Sequence, residues 1–260
     1  MHVKDQIIKS KLIHARSISS AWYQLLKYIH WHGDLHMPDY GTATKRVHAT
    51  VHITDVHHAQ HVDAMPFGKM SLEKYKSELT SKYADWYTSL PENDEKKFDY
   101  CYAKQLFRYG KNDYNSLREN IRNLREGSRR HVGVLWENEV HIPKYEDQPC
   151  WIAYKLEQTS LHDIVLYILY RSWDIYGGFP ANLPAIVDGI EKVLQEEGST
   201  LRIAEVIATG WDAHYYCTDR DAVRRVLEES AICMRCCEVT KKTAMITHNG
   251  GYKCATCLGK

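Results

Sequence analysis

Between Ser17 and Tyr28 the apolar residues follow helical spacing, with Trp22, Leu25 and Leu26 on one face and serine at the start. From Arg46 to Ile53 the period changes to two. Val47, Ala49, Val51 and Ile53 alternate with polar residues, which predicts a strand with one buried face. A Pro- and Gly-bearing loop over His57–Lys69 separates this strand from a helix over Ser71–Tyr87, with Ser71 as its cap and Leu72, Tyr75 and Leu79 on one side. A second helix is expected over Asn115–Glu126. Val132–Trp136, Trp151–Leu156 and the strongly apolar Leu161–Tyr170 read as strands, the last of them central. After Pro180 comes a helix over Asn182–Glu196, then a strand over Leu201–Ala208, a polar segment at Thr209–Asp212 and a short helix over Val223–Glu229. Strands and helices mix without strict alternation, so the expected class is α+β, a mixed sheet packed with helices.

Composition narrows the picture. The chain has 260 residues and is 44% hydrophobic, enough for one sizeable domain over residues 1–229 and a small appendage over 230–260, where the composition shifts. The net charge of +1 demands neither nucleic acid nor an anionic membrane as partner. No apolar run approaches the roughly 18 residues of a membrane span, and the first residues lack a signal peptide's apolar centre. A soluble, cytoplasmic protein is expected. Of the eight cysteines, Cys233, Cys236, Cys237, Cys254 and Cys257 crowd the end, which in a reducing compartment points to metal.

Three segments carry candidate chemistry. Cys150 follows a proline at a loop-to-strand junction; taken alone, such a cysteine is more often a buried structural one than a nucleophile. Arg129-Arg130 precede it, and Arg171-Ser172 end the apolar strand. Arginines at strand ends suit a phosphate, although a pair such as Arg129-Arg130 also suits a solvated helix end. Asn182 lies near a helix start after Gly177-Gly178-Phe-Pro. Its amide offers a donor and an acceptor, as reading a uracil edge requires, and it could equally cap the helix.

Taken together, Ser128-Arg-Arg-His-Val-Gly-Val-Leu-Trp, Pro149-Cys150, Arg171-Ser-Trp-Asp174, Gly178-Phe-Pro-Ala-Asn182 and Asp212-Ala-His-Tyr-Tyr216 resemble, in order and spacing, the thymidylate synthase family. The likeness also covers Ser17–Thr44, including Asp39-Tyr-Gly-Thr-Ala-Thr44, and Phe98-Asp-Tyr-Cys-Tyr-Ala. It extends from about Ile13 to Glu229 and is closest to the compact archaeal members. The resemblance implies a thymidylate-synthase-like fold and a homodimer with shared active sites. In those sites Cys150 adds to C6 of a pyrimidine deoxynucleotide. Arg171 and Ser172, with Arg129 and Arg130 from the other subunit, hold the 5′-phosphate. Asn182 reads the base, His214 and Tyr216 bind the deoxyribose hydroxyl, and Asp174 contacts the pterin of 5,10-methylenetetrahydrofolate. A glutamate serves as general base through water; Glu73 and Glu78 are the candidates, with Glu73 preferred.

The chain also departs from the family pattern. Tyr40 replaces the phosphate-loop arginine, and Trp151 follows the nucleophile. Tyr170 stands where Gln precedes Arg-Ser; it is grouped with Cys150, Glu73 and Asp174 as a catalytic candidate. The family's apolar C-terminal tail gives way to Cys233-Met-Arg-Cys236 and Cys254-Ala-Thr-Cys257, separated by a strand-like Thr240–Thr247 and a turn at Asn249-Gly-Gly251. Two CxxC pairs flanking a hairpin fit a tetrahedral zinc ribbon, with Cys237 or His248 as substitute ligands. The functional expectation is one-carbon transfer from the folate to C5 of dUMP, giving dTMP. The alternative product is 5-hydroxymethyl-dUMP or -dCMP, although Asn182 favours uracil. An expectation of another class is a catalytically altered nucleotide- or nucleic-acid-binding protein that docks through its zinc ribbon.

Overall fold

Ser17 opens the first helix with a reciprocal cap. Its hydroxyl accepts from the Ser20 amide at 3.2 Å, and the Ser20 hydroxyl accepts from the Ser17 amide at 3.1 Å. The helix buries Trp22, Leu25, Leu26 and Ile29 completely, each large apolar side chain contributing about 1.5–3 kcal/mol. The computed structural model describes residues 8–39, 41–91, 93–95, 97, 100–143, 148–248 and 250–257; Tyr40, Phe98, Asp99, Asn249 and the side chain of His248 lie outside the description. In chain order the elements are β1 (Ser10–Ala15), α1 (Ile18–His32), β2 (Asp34–His36), β3 (Thr44–Ile53), α2 (Lys69–Glu78), α3 (Ser81–Ser89), α4 (Tyr102–Phe107), α5 (Ser116–Arg122), β4 (Val132–Val134), α6 (Asn138–His141), β5 (Trp151–Gln158), β6 (Asp163–Tyr170), β7 (Trp173–Asp174), α7 (Gly178–Glu196), β8 (Arg202–Tyr216) and α8 (Arg220–Glu229). Four short strands close the chain: β9 (Ser230–Ile232), β10 (Val239–Lys241), β11 (Met245–His248) and β12 (Gly251–Cys254).

These elements form two compact units. The first comprises residues 1–66, 172–180 and 209–260. In it β1 pairs parallel with β3, β2 antiparallel with β3, and β7 parallel with the second half of β8. Val47, Ala49, Val51 and Ile53 of β3 are fully buried, as the period-two pattern requires. Residues 230–257 group with this unit, and the Tyr23 hydroxyl donates to Ser230 O at 2.8 Å. The second unit comprises residues 67–171 and 181–208, with the order β8-β6-β5-β4 and antiparallel β6-β5-β4 pairing. The α+β class with a mixed sheet is the expected one. Among the described residues no helix is long and apolar enough to cross a membrane.

Three differences from the sequence reading have local causes. The single helix expected over Ser71–Tyr87 is two, because Thr80 caps a new start, its hydroxyl accepting from the Tyr83 amide at 3.2 Å. Its first part begins at Lys69, with Gly68 rather than Ser71 at the cap. The polar segment Thr209–Asp212, expected to follow a strand ending at Ala208, is instead the middle of the fifteen-residue β8. Gly210 fits there because an added Cβ would come within 3.2 Å of the Trp173 ring, and Asp212 is held by Arg46 of β3 at 2.8 Å. Polar and small residues thus sit inside a strand because neighbouring chains satisfy them.

Candidate functional site

In the second unit, β5 and β6 run antiparallel, with Trp151 opposite Tyr170. The residue before β5, Cys150, and the residue after β6, Arg171, are therefore neighbours, and the Arg171 amide donates to Cys150 O at 2.9 Å. The guanidinium then folds back on the same turn. Nε donates to Pro149 O at 3.0 Å and Nη2 to Gln148 O at 2.6 Å. These bonds use two of the five donors of an arginine fork. Arg171 thereby fixes the turn that presents the Cys150 thiol.

Aromatic residues surround that thiol. Tyr100 makes a side-chain hydrogen bond with Cys150. The Tyr102 hydroxyl, at the start of α4, accepts from the Trp151 amide at 3.2 Å. Burial and the charge of a Cys150 thiolate push the phenols of Tyr100 and Tyr102 well above their ordinary range. Burial first, then the charges of Tyr75 and Cys150, does the same for Tyr170, which is completely buried. All three phenols are held in their neutral form.

Asn182 lies in α7, inside the helix and not at its cap. Its Nδ2 donates to the Tyr75 hydroxyl of α2 at 2.9 Å. Burial pushes the Tyr75 phenol up to about 12, against the pull of the Asn182 hydrogen bond. The two glutamates of α2 differ. Glu73 is 68% exposed and paired with Lys76 at 3.1 Å, so the fold turns it to solvent. Burial raises the Glu78 carboxyl, with Lys74 opposing, and its charge is felt at Tyr75. Glu78, at the end of α2, is half-buried.

Arg129 and Arg130 are exposed on the loop before β4. Val132 pairs with Lys155, so both arginines lie at the far end of β5 from Cys150, at least five residues and roughly 16 Å away. Within one chain they do not meet the thiol.

In the first unit, Asp174 accepts from the backbone amides of Tyr176, Gly177 and Gly178 at 2.9–3.2 Å. It caps the start of α7, the role that the sequence had left open for Asn182. Gly177 permits this closeness, since an added Cβ would lie 2.9 Å from Asp174 Oδ2. Ser172, half-buried, precedes β7.

His214 is buried in β8, its Nδ1 3.0 Å from Asp212 Oδ1, while Asp212 also takes the Arg46 ion pair. Burial alone would raise the Asp212 carboxyl, but hydrogen bonds from His214 and Arg46 hold it below its ordinary value. An anionic Asp212 fixes the proton on Nδ1. Nε2 is buried, with no hydrogen-bond partner among the described residues. Such an atom suits a ligand hydroxyl. The Tyr216 ring stands edge-on to His214 at 5.1 Å.

Sequence reading missed Tyr75, Tyr100 and Tyr102. Tyr75 looked like an apolar-face residue of a helix. Tyr100 and Tyr102 lie in the Phe98-Asp-Tyr-Cys-Tyr-Ala stretch, where the family resemblance implies no role for them.

Cys233, Cys236, Cys254 and Cys257 converge, all four sulfurs within 4.8 Å of one another. Every cysteine is free of disulfide bonding.

The family model of thymidylate synthase matches residues 68–248, well over half of the chain. A protein described as "Putative thymidylate synthase" from Methanococcoides burtonii is 27% identical over 223 residues, covering 84% of this chain and 95% of that protein. One of the same description from Methanosarcina mazei gives the same identity and coverage. One from Methanopyrus kandleri is 23% identical over 208 residues, covering 79% and 92%.

Proposed function

Because this chain belongs to the thymidylate synthase family, we propose that it transfers a one-carbon unit from 5,10-methylenetetrahydrofolate to C5 of a pyrimidine deoxynucleotide, dUMP giving dTMP. The observation that carries this reading is the Cys150 turn, gripped by Arg171 and braced by Tyr102 on the next residue's amide. The Cys150 thiolate adds to C6, and the electron pair moves to make C5 enolate-like. C5 then attacks the folate methylene, a base removes the C5 proton through water, and that electron pair expels the folate nitrogen to leave an exocyclic methylene on C5; addition to this methylene sends the electron pair back to expel the thiolate from C6 and restore the ring double bond. Hydride from the folate yields the methyl group and dihydrofolate; capture by water would instead yield 5-hydroxymethyl-dUMP and tetrahydrofolate. Mass spectrometry of nucleotide and folate after incubation with both substrates tests the reading. dTMP with dihydrofolate supports it, and hydroxymethyl product with tetrahydrofolate selects the alternative.

The remaining roles follow from the family resemblance. Arg171 takes the 5′-phosphate with its remaining donors, aided by Ser172. His214 Nε2 and Tyr216 take the deoxyribose hydroxyl. Asp174 holds the start of α7, with any pterin contact secondary to that. Arg129 and Arg130, distant from Cys150 in their own chain, serve the site of a second copy, which makes the working unit a homodimer. Neither a membrane nor a nucleic acid is required, and cytoplasmic localisation suits the substrates.

Glu78 acts as the general base. Glu78→Gln should lower kcat by roughly 10²-fold or more, as loss of general base catalysis does, whereas Glu73→Gln should leave it unchanged. The reverse ranking in steady-state assays would restore Glu73.

Tyr75 orients the amide of Asn182, which reads the base. A mispaired buried hydrogen bond costs about 1–3 kcal/mol, or roughly 5- to 150-fold. Asn182→Asp should shift kcat/KM from dUMP towards dCMP by a factor in that range. Tyr75→Phe should blunt discrimination without reversing it. Equal preference in Asn182→Asp and the parent would refute the assignment.

A further inference from the structure

Beyond this chemistry, we propose that Cys233, Cys236, Cys254 and Cys257 hold one structural zinc ion, which fixes residues 230–257 onto the start of α1 and the turn after β3. Four sulfurs within 4.8 Å of one another provide a complete tetrahedral donor set. The Cys236–Cys254 sulfur separation is 3.7 Å. Zinc–thiolate bonds of about 2.3 Å at tetrahedral angles place sulfurs about 3.8 Å apart, whereas a disulfide requires about 2.05 Å. An all-thiolate shell favours a soft ion and leaves no open position for water or substrate, so the site is structural.

The surrounding backbone is built for thiolates. Cys233 ends the β9–β10 hairpin side, with its amide donating to Glu238 O at 2.8 Å, and the Cys237 amide returns to Cys233 O at 2.9 Å. That turn needs the left-handed conformation at Cys237, φ 61°. The Cys254 amide, at the end of the β11–β12 hairpin, donates to Cys233 Sγ at 3.4 Å, as an outer partner of a metal ligand does. Cys237 is not among the converging sulfurs.

The segment has almost no apolar interior of its own. Among the described residues its buried hydrophobic ones are Ala231, Val239 and two of the four ligands, Cys233 and Cys254, while Met234 and Ile246 are exposed. Such a piece draws its order from metal binding. Its attachments run through the ligand loop itself. His58 Nε2 meets Cys236 O at 2.7 Å, the Ser17 hydroxyl donates to Cys237 O at 3.4 Å, and Tyr23 holds Ser230 O. Because Ser17 is also the α1 cap, the cluster and the helix start share a residue.

Elemental analysis of the purified full chain should find about one zinc per chain, and cobalt exchange should produce the visible bands of a tetrahedral thiolate site. Removing zinc with a chelator should expose four thiols to alkylation. It should also speed amide exchange at residues 17–23, 55–61 and 230–257 by at least roughly tenfold, with β5 and β6 unchanged. Cys254→Ser should lose the metal with the same exchange pattern, and Cys237→Ser should keep it. If Cys254→Ser fails to fold, removal and return of zinc on the parent protein still decides. Metal-free protein with slow exchange through residues 230–257, a disulfide between the pairs, or iron in place of zinc would overturn the proposal.

Discussion

Cys150→Ser should reduce one-carbon transfer by roughly four orders of magnitude or more, the scale of losing a covalent nucleophile, while dUMP binds within a few-fold of the parent. The asymmetry follows from the geometry. The side chain contributes the bond to C6, and its surroundings are held by other atoms: the Arg171 amide on Cys150 O and the guanidinium on Pro149 O and Gln148 O. Serine preserves all of these. Its alkoxide is a far weaker population at neutral pH than a thiolate, so binding survives and addition does not. Calorimetry for binding and a folate absorbance assay for turnover check the two halves separately. Turnover near the parent rate would remove Cys150 from the mechanism, and loss of binding would make its role one of packing.

The second large effect is expected at Arg171, which does two jobs in this account. It binds the phosphate, and it pins the turn bearing the nucleophile through two charge-assisted hydrogen bonds. Each such bond is worth about 1.5–3 kcal/mol, so Arg171→Ala should cost kcat/KM roughly 10³-fold. The loss should appear in kcat as well as KM, because a loosened turn misplaces the thiol even when nucleotide is bound. Arg171→Lys keeps the charge but not the planar fork, and should recover affinity more than kcat. A change confined to KM in both variants would leave phosphate binding as the whole role.

The sequence was most legible where burial repeats with the period of the backbone. β3, β6 and α7 were recognisable because one face, or both, is apolar throughout. The chain was illegible where tertiary partners satisfy residues that look like loop formers. Asp212 and Gly210 lie within β8 because Arg46 and Trp173 receive them, and no local pattern encodes that. β1 and β2 escaped notice for a related reason: β1 carries exposed Leu12 beside polar neighbours, and β2 is three residues long.

The site divides similarly. Cys150 and Arg171 could be paired from strand ends, since antiparallel neighbours place the residue before one strand beside the residue after the other. The cysteine cluster was legible from spacing. The tyrosines around Cys150 were not, because a phenol inside an apolar run announces packing, and only the fold shows it facing a thiol. Asp174 and Asn182 exchanged their structural parts for the same reason. Either could have capped α7, and the three amides at Tyr176–Gly178 decide for Asp174.

The most direct test of the central claim is to trap the enzyme with 5-fluoro-dUMP and 5,10-methylenetetrahydrofolate, then measure the denatured protein's mass and map the adduct. Fluorine cannot leave C5 as a proton does, so the reaction stops with sulfur on C6 and the folate methylene on C5. One nucleotide and one folate should be covalently attached per active site, on the peptide bearing Cys150. No covalent species under conditions where the nucleotide binds, or attachment at Cys101 or any other cysteine, would contradict it.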